Sequence, residues 1–241
     1  MLDPRLSVID ERLSRVKRIM AISSGKGGVG KSLIAAVSAL ILARRGFKVG
    51  LLDLDFTNPS SSVILGARSL YPVEDRGMVP PKISGVEYIS ITFFAGDEPS
   101  PLRGEDVTNA FVEILALVRW SPLDYLILDT PPGLGDLLLD LLRLIKRLSF
   151  LVVTTPSKLS LETVRKLILL LRSVKAPIIG VIENMLMDSS QSLGEEIKKL
   201  DAAFLGSIPL DPGVEKALGD PEKLLETKFA EKLSEILNAI Q

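Results

Sequence analysis

Eight residues near the N-terminus have the types and spacing needed to hold a chain of phosphates. They fit the Gly-x4-Gly-Lys-Ser pattern of a phosphate-binding loop and read Gly25-Lys26-Gly27-Gly28-Val29-Gly30-Lys31-Ser32. Glycines let successive backbone N–H groups turn toward one phosphate chain, because no Cβ stands in the way. Lys31 is expected to reach the β- and γ-phosphates, and the Ser32 hydroxyl to bind Mg²⁺. The predicted nucleotide-binding residues of this segment are Gly27, Gly28, Val29, Gly30, Lys31, Ser32 and Leu33.

The flanking segments supply the strand and the helix that such a loop needs. Residues 18–23 form a short apolar run typical of a buried strand, and residues 32–45 carry apolar side chains at helical spacing. A helix N-terminus behind a glycine loop presents unpaired N–H groups and the positive end of the helix dipole to an anion. A glycine-rich turn that binds nothing is the alternative, and the flanking elements disfavour it.

Composition limits the class of protein. The 241 residues are 46% hydrophobic and 24% charged, with a formal net charge of −1, which gives no general attraction to nucleic acid or anionic membranes. The charged, amphipathic first 17 residues do not resemble a secretory signal, and no apolar run reaches membrane-spanning length. We therefore expect a cytoplasmic protein with no nucleic-acid or membrane partner.

Cysteine and histidine are both absent from this sequence. Disulfides, thiolate-held iron–sulfur clusters and the usual zinc sites are therefore beyond what these side chains can form. Any stable metal is expected to be Mg²⁺ or another ion with oxygen ligands.

Apolar runs of strand length alternate with helical patterns, which predicts a single-domain α/β fold with a mostly parallel sheet flanked by helices on both faces. The predicted strands lie at 18–23, 47–54, 86–94, 124–129, 149–154, 177–183 and 202–207. The predicted helices lie at about 1–17 and at 32–45, 104–119, 136–147, 160–173, 190–200 and 222–239. Proline-bearing loops are expected at 67–83 and 96–104. No linker divides residues 1–241, so we expect one domain.

Two carboxylates end the second predicted strand, in the run Leu51-Leu-Asp53-Leu-Asp55. Ligands of open α/β sheets bind at this edge. Asp55 is expected to orient a water against the γ-phosphate, and Asp53 to support Mg²⁺ and its waters. A strand end with two solvated acids is the alternative.

A third carboxylate follows four apolar residues and is delivered to the same edge. This residue, Asp129, is expected to hold Mg²⁺ through Ser32 or a water. The next six residues, Thr-Pro-Pro-Gly-Leu-Gly, combine stiff and permissive backbone, which predicts a loop that responds to the γ-phosphate.

The base is expected to lie near the ends of the last two strands. Asn184 carries both a donor and an acceptor, as N6 and N7 of adenine require, although an Asn that caps a turn remains open. Pro209 and Asp211 are expected to wall the base from the other side.

These segments together resemble the MinD/ParA group of P-loop ATPases and, within it, the Mrp-type branch. The resemblance covers about residues 15–220 and rests on the glycine loop and on residues 51–55, 129–136, 153–157 and 180–185, in the family's order. It implies an ATP hydrolase that forms an ATP-dependent homodimer. It also implies that Lys26 contacts the partner's nucleotide, that Asp55 positions the attacking water and that Asn184 reads adenine.

One departure affects the function that the resemblance implies. Iron–sulfur-carrying Mrp-type proteins have a Cys-x-x-Cys pair where this chain reads Leu186-Met-Asp-Ser-Ser190. Because this sequence has no cysteine, it cannot hold a bridging cluster by thiolates. Residues 51–56, 74–81 and 101–104 are similar to the archaeal Mrp-type HypB proteins. That similarity implies nickel delivery to [NiFe]-hydrogenase together with a HypA-like metallochaperone.

The predicted function is thus a Mg²⁺-dependent ATPase whose dimer assists metallocentre assembly, with nickel delivery as the main interpretation. Two alternatives stay open. One is an iron–sulfur assembly factor that borrows a partner's cysteines. The other is a ParA/MinD-like positioning protein on DNA or a membrane, which a basic patch or a basic terminal helix would favour. In residues 222–239 glutamates balance the lysines, so the predicted terminal helix is not basic and does not favour this second alternative.

Overall fold

An eight-stranded sheet runs through the centre of the computed structural model, which describes residues 3–56, 59–91, 93, 105–133, 135–188 and 192–240. The strands are β1 (Val16–Ser24), β2 (Val49–Asp53), β3 (Val73–Glu74), β4 (Met78–Val79), β5 (Lys82–Ile83), β6 (Val86–Ser90), β7 (Leu123–Asp129), β8 (Leu148–Thr154), β9 (Ile178–Leu186) and β10 (Phe204–Pro209). Eight of these strands form the central sheet, in the order β10-β9-β8-β1-β7-β2-β6-β5. Among the described strands of this sheet, β5 alone runs antiparallel to its neighbour, β6. Strands β3 and β4 form a separate antiparallel pair.

Helices cover both faces of this sheet. They are α1 (Arg5–Ser14), α2 (Lys31–Arg44), α3 (Ser61–Ile64), α4 (Glu105–Leu117), α5 (Asp136–Leu144), α6 (Lys158–Ser173), α7 (Gly194–Lys199), α8 (Gly213–Ala217), α9 (Pro221–Leu225) and α10 (Lys228–Asn238). One apolar core lies between the sheet and α1, α4, α5, α6 and α7, and a second lies under α2, α3, α8, α9 and α10. The predicted fold class is confirmed. Double-sided burial explains why the central strands are continuous apolar runs.

Several predicted boundaries were wrong. The N-terminal helix is shorter than the predicted 1–17, because Val16 already pairs with Leu123 in the sheet. The predicted helix 222–239 is divided at Thr227, whose hydroxyl accepts a hydrogen bond from the Ala230 N–H at 3.1 Å and begins α10. The predicted loop 67–83 contains β3, β4 and β5.

Two other predicted segments lie partly or wholly outside the residues that the structure describes. The loop at 96–104 lies outside the described residues, as do residues 190 and 191 of the predicted helix 190–200. Within the described part of the chain, no helix is long and apolar enough to span a bilayer.

The start of the glycine loop packs directly against α6. A Cβ added at Gly25 would lie 2.6 Å from Thr163 Cβ and 2.7 Å from the Thr163 backbone carbon. Because the obstruction includes backbone atoms, no side-chain rotation relieves it. Only glycine therefore allows α6 to approach the loop this closely.

Gly25→Ala is expected to lower the free energy of unfolding by about 1–3 kcal/mol, as overpacking of a rigid contact does. Gly27→Ala is the matched control, since the nearest atom to an added Cβ there is Pro132 Cγ at 3.9 Å. Urea unfolding of both nucleotide-free variants measures the difference. Equal stability of the two variants would show that the contact with α6 is not tight.

Candidate functional site

The carboxyl ends of three neighbouring strands bring the predicted charged residues together. In the register of the sheet, Asp129 of β7 lies opposite Asp53 of β2 on one side and Ile22 of β1 on the other. The glycine loop leaves β1 and enters α2, whose first residue is Lys31. The topology thus places one lysine beside the carboxylates predicted at this edge.

The glycine loop takes a conformation that other residues resist. Gly28 and Gly30 have φ angles of 75° and 81°, in the left-handed region. Gly30 also lies so close to Asn184 that an added Cβ would collide with its side-chain nitrogen. That nitrogen, Nδ2, donates a hydrogen bond of 2.9 Å to the Val29 carbonyl oxygen. The loop is therefore held against the end of β9.

Lys31 is the counter-ion of this cluster. Its side chain is 6% exposed, and its Nζ donates a hydrogen bond to Asp129 Oδ1 and lies 4.0 Å from Asp55 Oδ2. A longer hydrogen bond of 3.4 Å joins it to the Ser32 hydroxyl. One ammonium group thus faces two buried carboxylates.

The site fits a magnesium ion that is shared with a ligand. Among the described residues no group of three or more Asp, Glu, His or Cys is arranged to hold a metal. Mg²⁺ in proteins typically takes one or two carboxylates plus waters and substrate phosphates. Asp129 Oδ2 is buried with no hydrogen-bond partner in the described chain, which suits such an ion beside Ser32. A bound Mg²⁺ would neutralise phosphate charge.

Asp53 is held by a buried hydrogen-bond network at the same edge of the sheet. Its Oδ1 accepts a hydrogen bond of 3.0 Å from the Asp55 N–H, and its Oδ2 accepts bonds from the Ser61 N–H and hydroxyl. The Ser61 hydroxyl in turn lies 2.8 Å from the Tyr88 hydroxyl. Both oxygens are engaged by the protein, so in this conformation Asp53 fixes the Asp55 backbone and the start of α3. Ser61 and Tyr88 carry no motif that would have identified them.

Burial changes the acidity of these groups. Burial, together with the negative charge of Asp129, raises the pKa of Asp53 to about 7. Burial also raises the pKa of Asp129, and the charge of Lys31 opposes that rise. Burial and the charge of Asp53 raise the pKa of the Tyr88 hydroxyl, which therefore remains a hydrogen-bond donor. Asp53 and Asp129 therefore hold their protons to a higher pH than exposed carboxyl groups do.

A cavity of about 680 Å³ opens over the glycine loop and has the size of a small-molecule site. Its lining includes every residue that was predicted to contact nucleotide, namely Lys26, Gly27, Gly28, Val29, Gly30, Lys31, Ser32, Leu33, Asp55, Asn184, Pro209 and Asp211. Asp53 and Asp129 lie outside this lining and are fully buried. The sequence thus predicted the residues that line the cavity more completely than Ser61, which holds the buried Asp53, and Tyr88, which contacts Ser61.

The far wall of the cavity contains apolar residues that the sequence analysis missed: Met185, Leu210, Val214, Leu218 and Phe229. The spacing of Val214 and Leu218 is that of one helix face, and this was the available signal. Asp211 shapes this wall, because its two oxygens accept hydrogen bonds from the N–H groups of Gly213 at 2.9 Å and Phe229 at 3.0 Å.

The loop after β7 is attached to β1. The Thr130 hydroxyl donates to the Ile22 carbonyl oxygen at 2.9 Å, and the Gly133 N–H donates to the Ser24 carbonyl oxygen at 2.8 Å. The predicted γ-phosphate-responsive loop therefore begins beside the glycine loop. Leu134 and the side chain of Asp136 lie outside the described part.

The fold and this loop define a P-loop NTPase. A ParA family model, described as NUBPL iron-transfer P-loop NTPase, matches residues 15–241, and the chain belongs to this family. It is 41% identical over 243 residues to an iron-sulfur cluster carrier protein of Pseudomonas fragi, covering 91% of this chain and 85% of that one. It is 33% identical over 259 residues to the protein of that name in Methanococcus maripaludis, covering 100% and 90%.

Solved structures show the same relationship. A nucleotide-binding protein of Archaeoglobus fulgidus, in complex with ADP, superposes with a TM-score of 0.76 at 31% identity, covering 92% of this chain and 93% of that one. The cell-division ATPase MinD of Pyrococcus furiosus shares the fold, with a TM-score of 0.68 at 24% identity, covering 93% and 100%. The predicted Mrp-type and MinD/ParA resemblance is confirmed. The relatives are named iron–sulfur cluster carriers, so the narrower HypB resemblance stays a prediction.

The raised pKa of Asp53 predicts a pH dependence of stability. Unfolded Asp53 loses its proton near its ordinary pKa of 3.8, whereas the folded residue keeps it up to about pH 7. Its contribution to stability should therefore decline as the pH rises from about 4 to about 7. Asp53→Asn should remove this decline from melting temperatures measured without nucleotide or divalent metal.

Asp124→Asn is the control with the opposite sign. Hydrogen bonds from the Lys17 side chain and from the Lys48 N–H lower the pKa of Asp124, so its contribution is lost as the pH falls. Identical pH profiles for wild type and Asp53→Asn would show that Asp53 titrates normally.

Proposed function

We propose that this protein is a Mg²⁺-dependent ATPase whose nucleotide-driven dimer assists iron–sulfur cluster assembly. The observation that carries the ATPase part is the buried Lys31–Asp129 pair at the base of a cavity bounded by a glycine loop. Lys31 is already placed to exchange a carboxylate for phosphate oxygens. Asp129 Oδ2, which has no hydrogen-bond partner among the described residues, is placed to receive Mg²⁺. An ammonium group beside a carboxylate that can take Mg²⁺ suits a nucleoside triphosphate better than any uncharged ligand.

Asp55 is the residue we assign to positioning the attacking water. It is 5% exposed, it lines the cavity and its backbone is fixed by Asp53. A carboxylate held in this way can orient a water without a large loss of side-chain entropy at the moment of reaction. Asn184 and the apolar far wall would then hold adenine.

Lys26 is the residue we assign to the dimer. It lines the cavity, and its ammonium group makes no hydrogen bond or ion pair with the described residues. Two facing nucleotides bring dense negative charge to an interface, and a flexible ammonium group can offset it. The γ-phosphate would favour closure, so ATP and ADP would stabilise different states.

The relatives support the iron–sulfur alternative better than nickel delivery with a HypA-like metallochaperone. The absence of cysteine means that the thiolates for a cluster would come from a partner protein. This chain would supply the nucleotide switch. The coupling cannot exceed the difference in the partner's affinity for the two nucleotide states.

Lys31→Ala should weaken ATP binding by about 2–5 kcal/mol, since it removes a buried charge partner of the phosphates. Titration calorimetry with MgATP measures this loss. Lys26→Ala is the matched control and should keep the affinity of the monomer for MgADP. Undiminished binding by Lys31→Ala would refute the site, and a preference for GTP would refute the role of Asn184.

Sedimentation tests the dimer separately. Wild type should be dimeric with MgATP and monomeric with MgADP, Asp55→Ala should accumulate the ATP-bound dimer because hydrolysis is slow, and Lys26→Ala should stay monomeric. A dimer fraction insensitive to nucleotide and to Lys26 would leave the ATPase intact and defeat the switch.

The iron–sulfur part is tested by anaerobic capture of partners on Asp55→Ala with MgATP, with Lys31→Ala as the matched control. Assays of iron and acid-labile sulfide should find both in a cysteine-bearing partner bound only to Asp55→Ala. Nickel without sulfide in that fraction would favour hydrogenase maturation instead.

A further inference from the structure

A second cavity lies at the opposite edge of the sheet from the nucleotide cavity. It is formed by the N-terminal ends of β1, β7, β8 and β9 and by the C-terminal ends of α2 and α10. Its volume is about 300 Å³, at the lower limit for small-molecule sites, so a ligand would have to be small. Nothing in the ATPase chemistry uses this cavity.

The interior of this cavity is apolar. Its apolar lining comes from four elements or their immediate ends and comprises Ile19, Met20, Leu42, Ile179, Leu237 and Ile240. Met20, Leu42 and Leu237 are buried members of the core beneath α2 and α10. An alkyl chain entering here would exchange water for side chains that are already fixed by the fold.

Cations line the same cavity, and none of its described lining residues is acidic. The cations are Lys17, Arg18 and Arg147. Lys17 is paired with Asp124 at 2.7 Å and is thereby neutralised. The arginines come from adjacent strand starts, since Ile19 of β1 pairs with Leu148 of β8. The charge of the lining contrasts with a net charge of −1 for the whole chain.

Neutral oxygens hold both arginines in place. Arg18 stacks on the Tyr125 ring, 5.5 Å from its centroid, and donates to the Tyr125 hydroxyl at 3.1 Å. Arg147 donates to the Leu13 carbonyl oxygen at 3.0 Å. Within the described residues neither guanidinium has a carboxylate partner. A guanidinium carries five N–H donors, more than these contacts use, and its planar fork matches the shape of a carboxylate.

We propose that this cavity binds a small monocarboxylate with an unbranched apolar tail. The carboxylate would be held by Arg18 and Arg147, and the tail would lie against Met20, Leu42 and Ile179. A neutral amphiphile would leave the arginines without an anion, and an inorganic anion would leave the apolar interior unfilled. The lining therefore matches this one combination of head and tail.

The test uses octanoate as the probe in titrations of the full chain, with octanamide and acetate as the uncharged and tailless analogues. Octanoate should bind saturably, and at least about tenfold more tightly than either analogue. Octanamide lacks the charge-assisted hydrogen bonds of the carboxylate, and acetate lacks the apolar tail that would be buried. Saturating MgADP should leave the octanoate affinity unchanged, since the two cavities lie at opposite edges of the sheet.

The variants separate this site from general charge effects. Arg18→Gln and Arg147→Gln should each weaken octanoate binding about tenfold. Arg44→Gln, an exposed arginine at the end of α2 that does not line the cavity, should change the affinity less than twofold. Ile179→Phe, which fills the interior, should abolish binding while MgADP binding shows that the variant is folded.

Four results would overturn the proposal. They are no saturable octanoate binding at millimolar concentrations, equal binding of octanamide, competition by MgADP, and the same loss in Arg44→Gln as in Arg18→Gln. A peptide with an apolar C-terminal residue and a free carboxylate forms a further arm. Binding of that peptide without binding of octanoate would assign the cavity to a protein partner instead.

Discussion

The buried pair of Lys31 and Asp129 is the interaction on which the candidate site depends. Lys31 is 6% exposed and Asp129 is fully buried. Separating two such charges without replacing both partners is costly, because neither can recover its hydration in the interior. A ligand that draws Lys31 away must therefore bring a cation for Asp129. A nucleotide with Mg²⁺ meets both requirements, and a nucleotide without metal meets only one.

The fold creates this constraint by crowding carboxylates at one edge of the sheet. Neighbouring parallel strands set Asp53 directly beside Asp129, and Asp55 lies two residues beyond. Apolar cores on both faces exclude water, which raises the pKa of Asp53 and Asp129. Ser61 stabilises Asp53 by hydrogen bonding, and the Tyr88 hydroxyl contacts the Ser61 hydroxyl. Asp53 in turn fixes the Asp55 backbone. The lining of the cavity is thus held by a buried polar network.

The residues that would contact the ligand could be predicted, because their motifs are short and local in the sequence. The residues that hold Asp53 could not, because they are brought together only by the tertiary fold. The glycine loop and Asp129 can be recognised in the sequence, because each belongs to a short motif of neighbouring residues. Ser61 is an ordinary residue that reaches Asp53 only through the packing of α3, and Tyr88 reaches Ser61 only through the pairing of β2 with β6. The second cavity needs six elements at once, so no stretch of sequence could indicate it.

The prediction of secondary structure was wrong where a weak local signal competes with a strong periodic pattern of apolar residues. The apolar stripe of residues 222–239 continues across Thr227, yet the hydroxyl of that residue starts a new helix. The short strands within residues 67–83 contain too few residues to show alternation. The α/β alternation itself was predictable, because burial on both faces leaves long apolar runs in the sequence.

The most direct measurement is ADP affinity with and without Mg²⁺ for wild type and Asp129→Asn. If the Lys31–Asp129 pair is the constraint, Mg²⁺ should strengthen ADP binding strongly in wild type and much less in the variant. Without Mg²⁺ the variant should bind ADP at least as tightly as wild type, because Lys31 is no longer held by a carboxylate. An equal loss of affinity in Asp129→Asn with and without Mg²⁺ would contradict this relationship.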